Sequence, residues 1–234
     1  KEMRILLTRP QADSLRFARL LKEAGHEVIL SPVIEIIATG APVPDAAFEA
    51  LVATSANAFE CLQLQGSPIH RFAGLPLYAV GDRTAEAARA KGFPDIRHIA
   101  ADAAALAGFL LSSIATRSRI LYLAGHDRKP LLESELEQAG HEVSAVVVYR
   151  AVARSEFSAE ALAGLGNNTI HAALHFSKRS AALFTGLVLA AGLEERVRHM
   201  VHICLSADVA AGLDALGPLH VEIALPQEPH ALLA

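Results

Sequence analysis

The sequence predicts an α/β fold made of two similar doubly wound parallel-sheet domains joined by a two-stranded connector. Two observations support this prediction: short apolar segments alternate with helical segments along the chain, and the first of these units is echoed about half a chain later. Short apolar strands alternating with helices form a parallel sheet that is covered on both faces. Roughly ten such strands are too many for one open sheet at this length, whereas two sheets of about five strands fit.

The echo has a constant offset of 115 residues. The segment RILL at 4–7 is answered by RILY at 119–122, and AGHEV at 24–28 is answered by an identical segment at 139–143. Both copies have the pattern of a buried strand, a helix, a glycine stop and a second strand. Gly25 and Gly140 stand where the end of a helix favours a residue with positive φ. The matching helical pattern between the two anchors favours duplication over coincidence.

The domain boundary is predicted from two strand-like segments, because no long linker composition appears at the midpoint. Segments 33–38 and 147–153 follow the matched positions in each copy. If both cross from one domain to the other, the first domain combines residues 1–35 with 153–234, and the second is the inserted stretch 36–152. A cut near residue 117 remains the alternative, although no linker composition supports it.

Composition narrows the class of protein. The formal net charge is −4, from 21 basic and 25 acidic residues, which argues against a nucleic-acid partner. No apolar run approaches the roughly 18 residues of a membrane span. Two cysteines far apart in sequence indicate a reduced, cytoplasmic compartment. Dinucleotide, Walker and hydrolase motifs are missing and the histidines lack ligand spacing, so we expect no metal and no cofactor.

Five strand-to-helix turns are rich in small and hydroxyl residues. They lie at 54–57, 80–84, 124–128, 176–180 and 205–208. Ligands of doubly wound sheets bind at the carboxyl ends of the strands, and helix starts attract carboxylates. The alternative for any single turn is ordinary helix capping. Five such turns facing one interdomain cleft would instead form an anion site.

Tyr149 is the remaining candidate for chemistry. It lies in the segment VVYR at 147–150, beside the proposed connector. Its phenol is either a packing group or a weak acid and hydrogen-bond donor in the cleft, and the sequence leaves both open.

These residues, in this order, resemble the uroporphyrinogen-III synthase family. The matching segments are LLTRP at 6–10, TSANA at 54–58, AVGxxT at 79–84, GxxR at 125–128, VYR at 148–150 and FS at 176–177. The family's fold, two α/β domains with a two-stranded connector, agrees with the pattern above.

The resemblance implies the substrate hydroxymethylbilane, a linear polycarboxylate tetrapyrrole, and no cofactor. Loss of hydroxide gives an azafulvene, and attack at the substituted carbon of ring D gives a spirocyclic intermediate that recloses with ring D inverted. The resemblance implies that Tyr149 assists the departing hydroxide. It also implies substrate-binding positions at Ser55, Asn57, Gly81, Thr84, Gly125, Ser177 and Ser206. We expect the nearby cations Arg128, Lys178 and Arg179 to assist in binding the substrate carboxylates. Separately, we expect a cytoplasmic monomer. Asp208 is a departure from the family pattern, since a carboxylate there repels a carboxylate substrate unless it caps the helix.

The competing hypothesis is a two-domain small-molecule binding module without catalysis. A two-domain glycosyltransferase is a second alternative, but two Rossmann domains generally need more residues. Analysis of the product isomers formed from hydroxymethylbilane separates these hypotheses, because only a synthase inverts ring D.

Overall fold

The computed structural model describes residues 2–61 and 71–224. The chain divides into two compact units: unit 1 is Lys1–Glu35 with Val152–Ala234, and unit 2 is Ile36–Ala151. In chain order, the strands are β1 (Arg4–Leu7), β2 (Glu27–Leu30), β3 (Ile34–Ala38), β4 (Ala50–Ala53), β5 (Leu77–Val80), β6 (Ile96–Ala100), β7 (Arg119–Gly125), β8 (Glu142–Ala153), β9 (Ala172–His175), β10 (Val201–Cys204) and β11 (His220–Ile223).

Helices lie between these strands. They are α1 (Gln11–Glu23), α2 (Asn57–Glu60), α3 (Asp82–Ala90), α4 (Ala103–Ser113), α5 (Leu131–Gln138), α6 (Ala159–Gly166), α7 (Lys178–Ala191), α8 (Glu194–Val197) and α9 (Ala207–Ala210), followed by a 3₁₀ helix at Ala211–Leu216.

Unit 1 contains a parallel sheet in the order β2-β1-β9-β10-β11. Numbered along the chain within this unit, the order is 2-1-3-4-5, one of the common doubly wound arrangements. Strand β9 is buried along its whole length, as expected for a central strand covered on both faces.

Unit 2 repeats this arrangement with a changed starting point. Its parallel strands lie in the order β8-β7-β4-β5-β6. When β7 and β8 take the places of β1 and β2, the order is again 2-1-3-4-5. The second sheet is therefore a circular permutation of the first, and the predicted fold class is confirmed.

The sequence echo is also preserved in the strand register. Arg4 lies opposite Glu27 where β1 pairs with β2. Arg119 lies opposite Glu142 where β7 pairs with β8. Each pair is displaced from the other by the offset of the echo, so the repeated segments form the same strand-helix-strand element.

The helices of the two repeats also end alike. Gly25 has φ +85° and Gly140 has φ +89°. The Gly25 amide donates to the Lys22 carbonyl at 3.0 Å, and the Gly140 amide donates to the Glu137 carbonyl at 2.9 Å. Glycine adopts this left-handed conformation without the penalty of a Cβ, which explains its place in both copies.

Strands β3 and β8 form the connector, and each contains residues of both units. The Thr39 amide donates to the Val148 carbonyl at 3.1 Å, and the Arg154 amide donates to the Val33 carbonyl at 2.9 Å. Residue numbers thus increase along β3 where they decrease along β8, so the two strands are antiparallel. Strand β8 is one continuous strand where the sequence indicated two segments.

Candidate functional site

A buried phenol lies where the strand order of unit 2 reverses. In a 2-1-3-4-5 sheet this switch point falls between the first and third strands, here β7 and β4, and ligands bind at its carboxyl end. Tyr122 on β7 is 2% exposed, and its hydroxyl lies 2.9 Å from the Thr54 hydroxyl just beyond β4. Burial raises the pKa of Tyr122, which keeps the phenol neutral.

Tyr149 lies directly against the backbone of Gly125. The pairing of β7 with β8 shifts here: Ala124 lies opposite Val147, but Gly125 lies opposite Tyr149. A Cβ atom placed on Gly125 would come within 2.5 Å of both Cζ and Oη of Tyr149. Irregularities of this kind are common beside active sites, where they redirect a side chain. Gly125 therefore leaves space for the phenol, a role that the sequence did not suggest.

Tyr149 is held by its backbone and by the packing of its ring. The side chain is partly buried, and its ring packs against a core cluster of unit 2. The Tyr149 carbonyl accepts a hydrogen bond from the His126 amide at 2.9 Å, which fixes the backbone. Within residues 2–61 and 71–224, no group is hydrogen-bonded to the Tyr149 hydroxyl.

Arg128 is held within the protein. Its Nε lies 3.1 and 3.2 Å from the two carboxylate oxygens of Glu133, and its Nη2 lies 2.6 Å from the first. Its Nη1 donates to the Gly125 carbonyl at 3.1 Å. The Glu133 hydrogen bonds raise the pKa of Arg128 further. The pair is largely shielded, with 25% and 15% of the two side chains exposed.

The other two turns of unit 2 carry helix starts without a side-chain cap. The Ser55 hydroxyl accepts from the Asn57 amide at 3.3 Å, just before α2. Gly81 has φ +75° at the start of α3, and its own amide donates to a carbonyl of β6 at 2.9 Å. Thr84 is 3% exposed. Thr84 is thus a packing residue as well as a binding candidate.

The turns of unit 1 use their serine hydroxyls as helix caps. Ser177 accepts from the Ser180 amide at 3.1 Å at the start of α7. Ser206 accepts from the Val209 amide at 3.3 Å at the start of α9. The capping alternative therefore describes what these two side chains do in the structure.

Lys178 and Asp208 join the two turns of unit 1. The Lys178 ammonium lies 2.9 Å from a carboxylate oxygen of Asp208, with 56% and 74% of the side chains exposed. This hydrogen bond raises the pKa of Lys178. Asp208, which departs from the family pattern, is therefore balanced by a neighbouring cation. Arg179, the next residue on α7, is exposed.

Several residues near these turns were not predicted from the sequence: Thr54, Tyr122, Glu133 and Arg9. One feature of the sequence could have indicated Tyr122: it stands in the second copy of the repeat where the first copy has Leu7. Arg9 follows β1, and its guanidinium lies 4.4 Å from the centre of the Phe176 ring. This cation–π contact ties the turn after β1 to the turn after β9.

Neither a metal centre nor a membrane span was found among the described residues. Within residues 2–61 and 71–224, three or more His, Cys, Asp or Glu side chains are nowhere grouped to hold a metal ion. In the same ranges, no helix has the length and apolar character needed to cross a membrane.

A family model identifies the family of this chain, and solved structures share its fold. The sequence model of the family described as uroporphyrinogen-III synthase HemD matches residues 16–233. The crystal structure of uroporphyrinogen-III synthetase from Helicobacter pylori is 20% identical, with a TM-score of 0.64 over 99% of this chain and 96% of that one. A mutant uroporphyrinogen III synthase from Thermus thermophilus is 17% identical, with a TM-score of 0.50 over 99% of this chain and 96% of that one. No curated protein sequence gives a significant match.

Proposed function

The chain belongs to the uroporphyrinogen-III synthase family and is a lyase of tetrapyrrole biosynthesis, and from this premise we propose which of its residues bind the substrate and assist the reaction. The reaction closes hydroxymethylbilane into uroporphyrinogen III with loss of water and inversion of ring D. The observation that carries the assignment is the family match over residues 16–233.

The first part of the proposal concerns substrate carboxylates. They bind at the strand-to-helix turns, through backbone amides and the dipole of the helix start. Support comes from the uncapped start of α3 in unit 2 and from the eight or more residues of α3 and α7, which give each a full dipole. The proposed contacts are Ser55, Asn57, Gly81, Thr84, Gly125, Ser177, Lys178, Arg179 and Ser206.

The second part concerns departure of the hydroxyl group. Hydroxide leaves the terminal carbon with its bonding electron pair, and the Tyr149 hydroxyl donates a hydrogen bond to it as charge builds on that oxygen. The proton that ring D loses from its free α-carbon when the macrocycle closes completes the released water. Support comes from the hydroxyl's lack of a partner among the described residues and from the rigid backbone beneath the ring.

The proposal extends to the state of the protein. We propose a cytoplasmic monomer without a nucleic-acid partner, supported by the net charge of −4 and by two free cysteines. Size-exclusion chromatography with light scattering tests the monomer directly, because a dimer would double the mass.

One experiment tests the activity. The protein is added to freshly generated hydroxymethylbilane, and the uroporphyrinogen isomers are separated after oxidation. We expect the inverted type III isomer with native protein and the uninverted isomer with heat-denatured protein. Binding of hydroxymethylbilane without any type III product would instead identify a binding module.

A substitution tests the role of Tyr149. Tyr149→Phe keeps the ring and removes the hydroxyl, so kcat should fall much more than KM rises. A positioned acid contributes about 100-fold or more, and we expect the low end because the hydroxyl also leaves unaided. Tyr78→Phe, in β5 of the same unit, is the matched control and should keep full activity. A loss below about threefold in Tyr149→Phe would remove the phenol from the mechanism.

A further inference from the structure

The Arg128–Glu133 ion pair lies where a substrate-binding arginine was predicted, but its geometry points inward. The guanidinium nitrogens of Arg128 donate to protein oxygens: Nε and Nη2 meet Glu133, and Nη1 meets the Gly125 carbonyl. A guanidinium with two bonds to one carboxylate and a third to a backbone carbonyl is fixed in position, since its fork is planar.

The backbone that Arg128 holds is the one that supports the Tyr149 ring. Arg128 binds the carbonyl of Gly125, and a Cβ on Gly125 would overlap the Tyr149 ring. The next amide, that of His126, donates to the Tyr149 carbonyl. The peptide between Gly125 and His126 is therefore tied to Arg128 on one side and to Tyr149 on the other.

Glu133 completes the arrangement. It lies in the first turn of α5, where the helix dipole stabilises a carboxylate. From there its carboxylate accepts hydrogen bonds from Arg128. The guanidinium carbon of Arg128 also lies 6.0 Å from the centre of the Tyr122 ring. The start of α5 thus anchors the end of β7, beside both tyrosines.

We propose that Arg128 and Glu133 are positioning residues, which hold the Gly125 backbone so that the Tyr149 hydroxyl is aimed at the reacting group. This inference rests on the proposed role of Tyr149 and reassigns Arg128, which the sequence placed among the substrate ligands. The two roles predict opposite effects of freeing Arg128 from Glu133. If Arg128 binds the substrate, substrate binding should improve; if Arg128 holds the Gly125 backbone, the reaction should slow.

The kinetic test uses Glu133→Gln and Arg128→Lys. Glutamine keeps the shape of Glu133 but lacks the charge and one acceptor, while lysine lacks the planar fork that bonds Glu133 twice and Gly125 once. For a positioning pair, kcat should fall about 3- to 10-fold in the first variant and about 10-fold or more in the second, with KM within about twofold. A raised KM in Arg128→Lys, with a KM unchanged or lowered in Glu133→Gln, would overturn the proposal in favour of a substrate ligand.

A double variant shows whether the effect passes through the phenol. Adding Arg128→Lys to Tyr149→Phe should lower kcat by less than about twofold further, because the hydroxyl that Arg128 positions is already gone. A full additional loss would show that Arg128 acts elsewhere. Arg97→Lys is the matched control: it makes the same substitution in the same unit, at an ion pair with an arginine side chain 62% exposed.

A spectroscopic readout keeps this inference separate from the proposed activity. The chain has three tyrosines and no tryptophan, so protein labelled with 3-fluorotyrosine gives a simple ¹⁹F NMR spectrum. Each resonance is assigned by the corresponding Tyr→Phe variant. Arg128→Lys and Glu133→Gln should shift the Tyr149 resonance, whereas Arg97→Lys should leave it in place.

The outcomes are distinguishable. A wild-type protein that forms no type III isomer would refute the proposed function, yet the Tyr149 resonance would still report on the Arg128 contact. An unchanged Tyr149 resonance in both variants would refute the positioning role even in an active enzyme. Circular dichroism confirms that each variant is folded, and Glu133→Gln, the milder change, carries the test if Arg128→Lys unfolds.

Discussion

Gly125→Ala is the substitution that most directly tests how Tyr149 is placed. The new Cβ would come within 2.5 Å of Cζ and Oη of Tyr149, whereas ordinary van der Waals contact begins at 3.4 Å. The obstacle is the distal end of a ring that also packs against the core of unit 2. The ring must therefore move by about 1 Å, because the backbone of Gly125 is held by Arg128.

The expected magnitude follows from that displacement. A misplacement of about 1 Å at a reacting centre can cost about 100-fold in rate. The fall in kcat caused by misplacing the Tyr149 hydroxyl cannot exceed the fall caused by removing it in Tyr149→Phe. We therefore expect kcat for type III formation to fall about 10- to 100-fold, with KM little changed.

The assay is the initial rate of uroporphyrinogen III formation, with the isomer ratio measured in parallel. Gly108→Ala is the control, because a Cβ at this exposed glycine of α4 meets nothing within 4 Å. It should keep full activity and gain up to about 1 kcal/mol of stability, since alanine favours the helix. An active Gly125→Ala enzyme, within about threefold of wild type, would refute the reasoning from the close contact.

Three further predictions concern stability and binding. The His175 imidazole is buried beside His202, and burial lowers its pKa to about 3, so the folded state stays neutral where the unfolded state takes up a proton. Between pH 7 and pH 5 the free energy of unfolding should fall by about 2 kcal/mol from this group alone. Urea titrations at several pH values should therefore show a weaker dependence of the free energy of unfolding on pH in His175→Leu than in the wild type. Gly25→Ala and Gly140→Ala should each cost about 1 kcal/mol in urea unfolding, because both positions have positive φ; a cost at only one would contradict equivalent helix ends. Affinity for hydroxymethylbilane should weaken in calorimetric titrations as the ionic strength approaches about 1 M, where the Debye length is about 3 Å; unchanged affinity would indicate apolar binding instead.

The repeated strand-helix-strand element is readable from the sequence because its signals are local. Apolar periodicity marks the strands and the helix, and a glycine at a fixed place marks where the helix ends. The fixed offset is enough to identify 4–28 and 119–143 as two copies of one element from the amino acids alone. The permuted strand order of unit 2 is not readable in this way, since it depends on how distant strands pair.

The candidate site was less predictable for a physical reason. A serine at a helix start offers the same oxygen to its own helix as to a ligand, so Ser177 and Ser206 looked alike as caps and as binding residues. Arg128 raised the same ambiguity, because its use depends on a carboxylate five residues further along, across the start of α5. The contact of Gly125 with Tyr149 depends on a shift of register between two strands, which no local pattern records.

The insertion of unit 2 into unit 1 also fixes the order in which the protein can fold during synthesis. Strands β1 and β2 leave the ribosome before unit 2, but β1 pairs with β9, and the Arg4 amide contacts His171 across 167 residues. At roughly 5–20 residues per second, β1 waits on the order of ten seconds for that partner. Unit 2 is contiguous and completes its parallel strands in the meantime. Strand β1 is thus covered later than the strands of unit 2 that follow it, and the nascent chain exposes an apolar, unpaired edge there for chaperones or for aggregation.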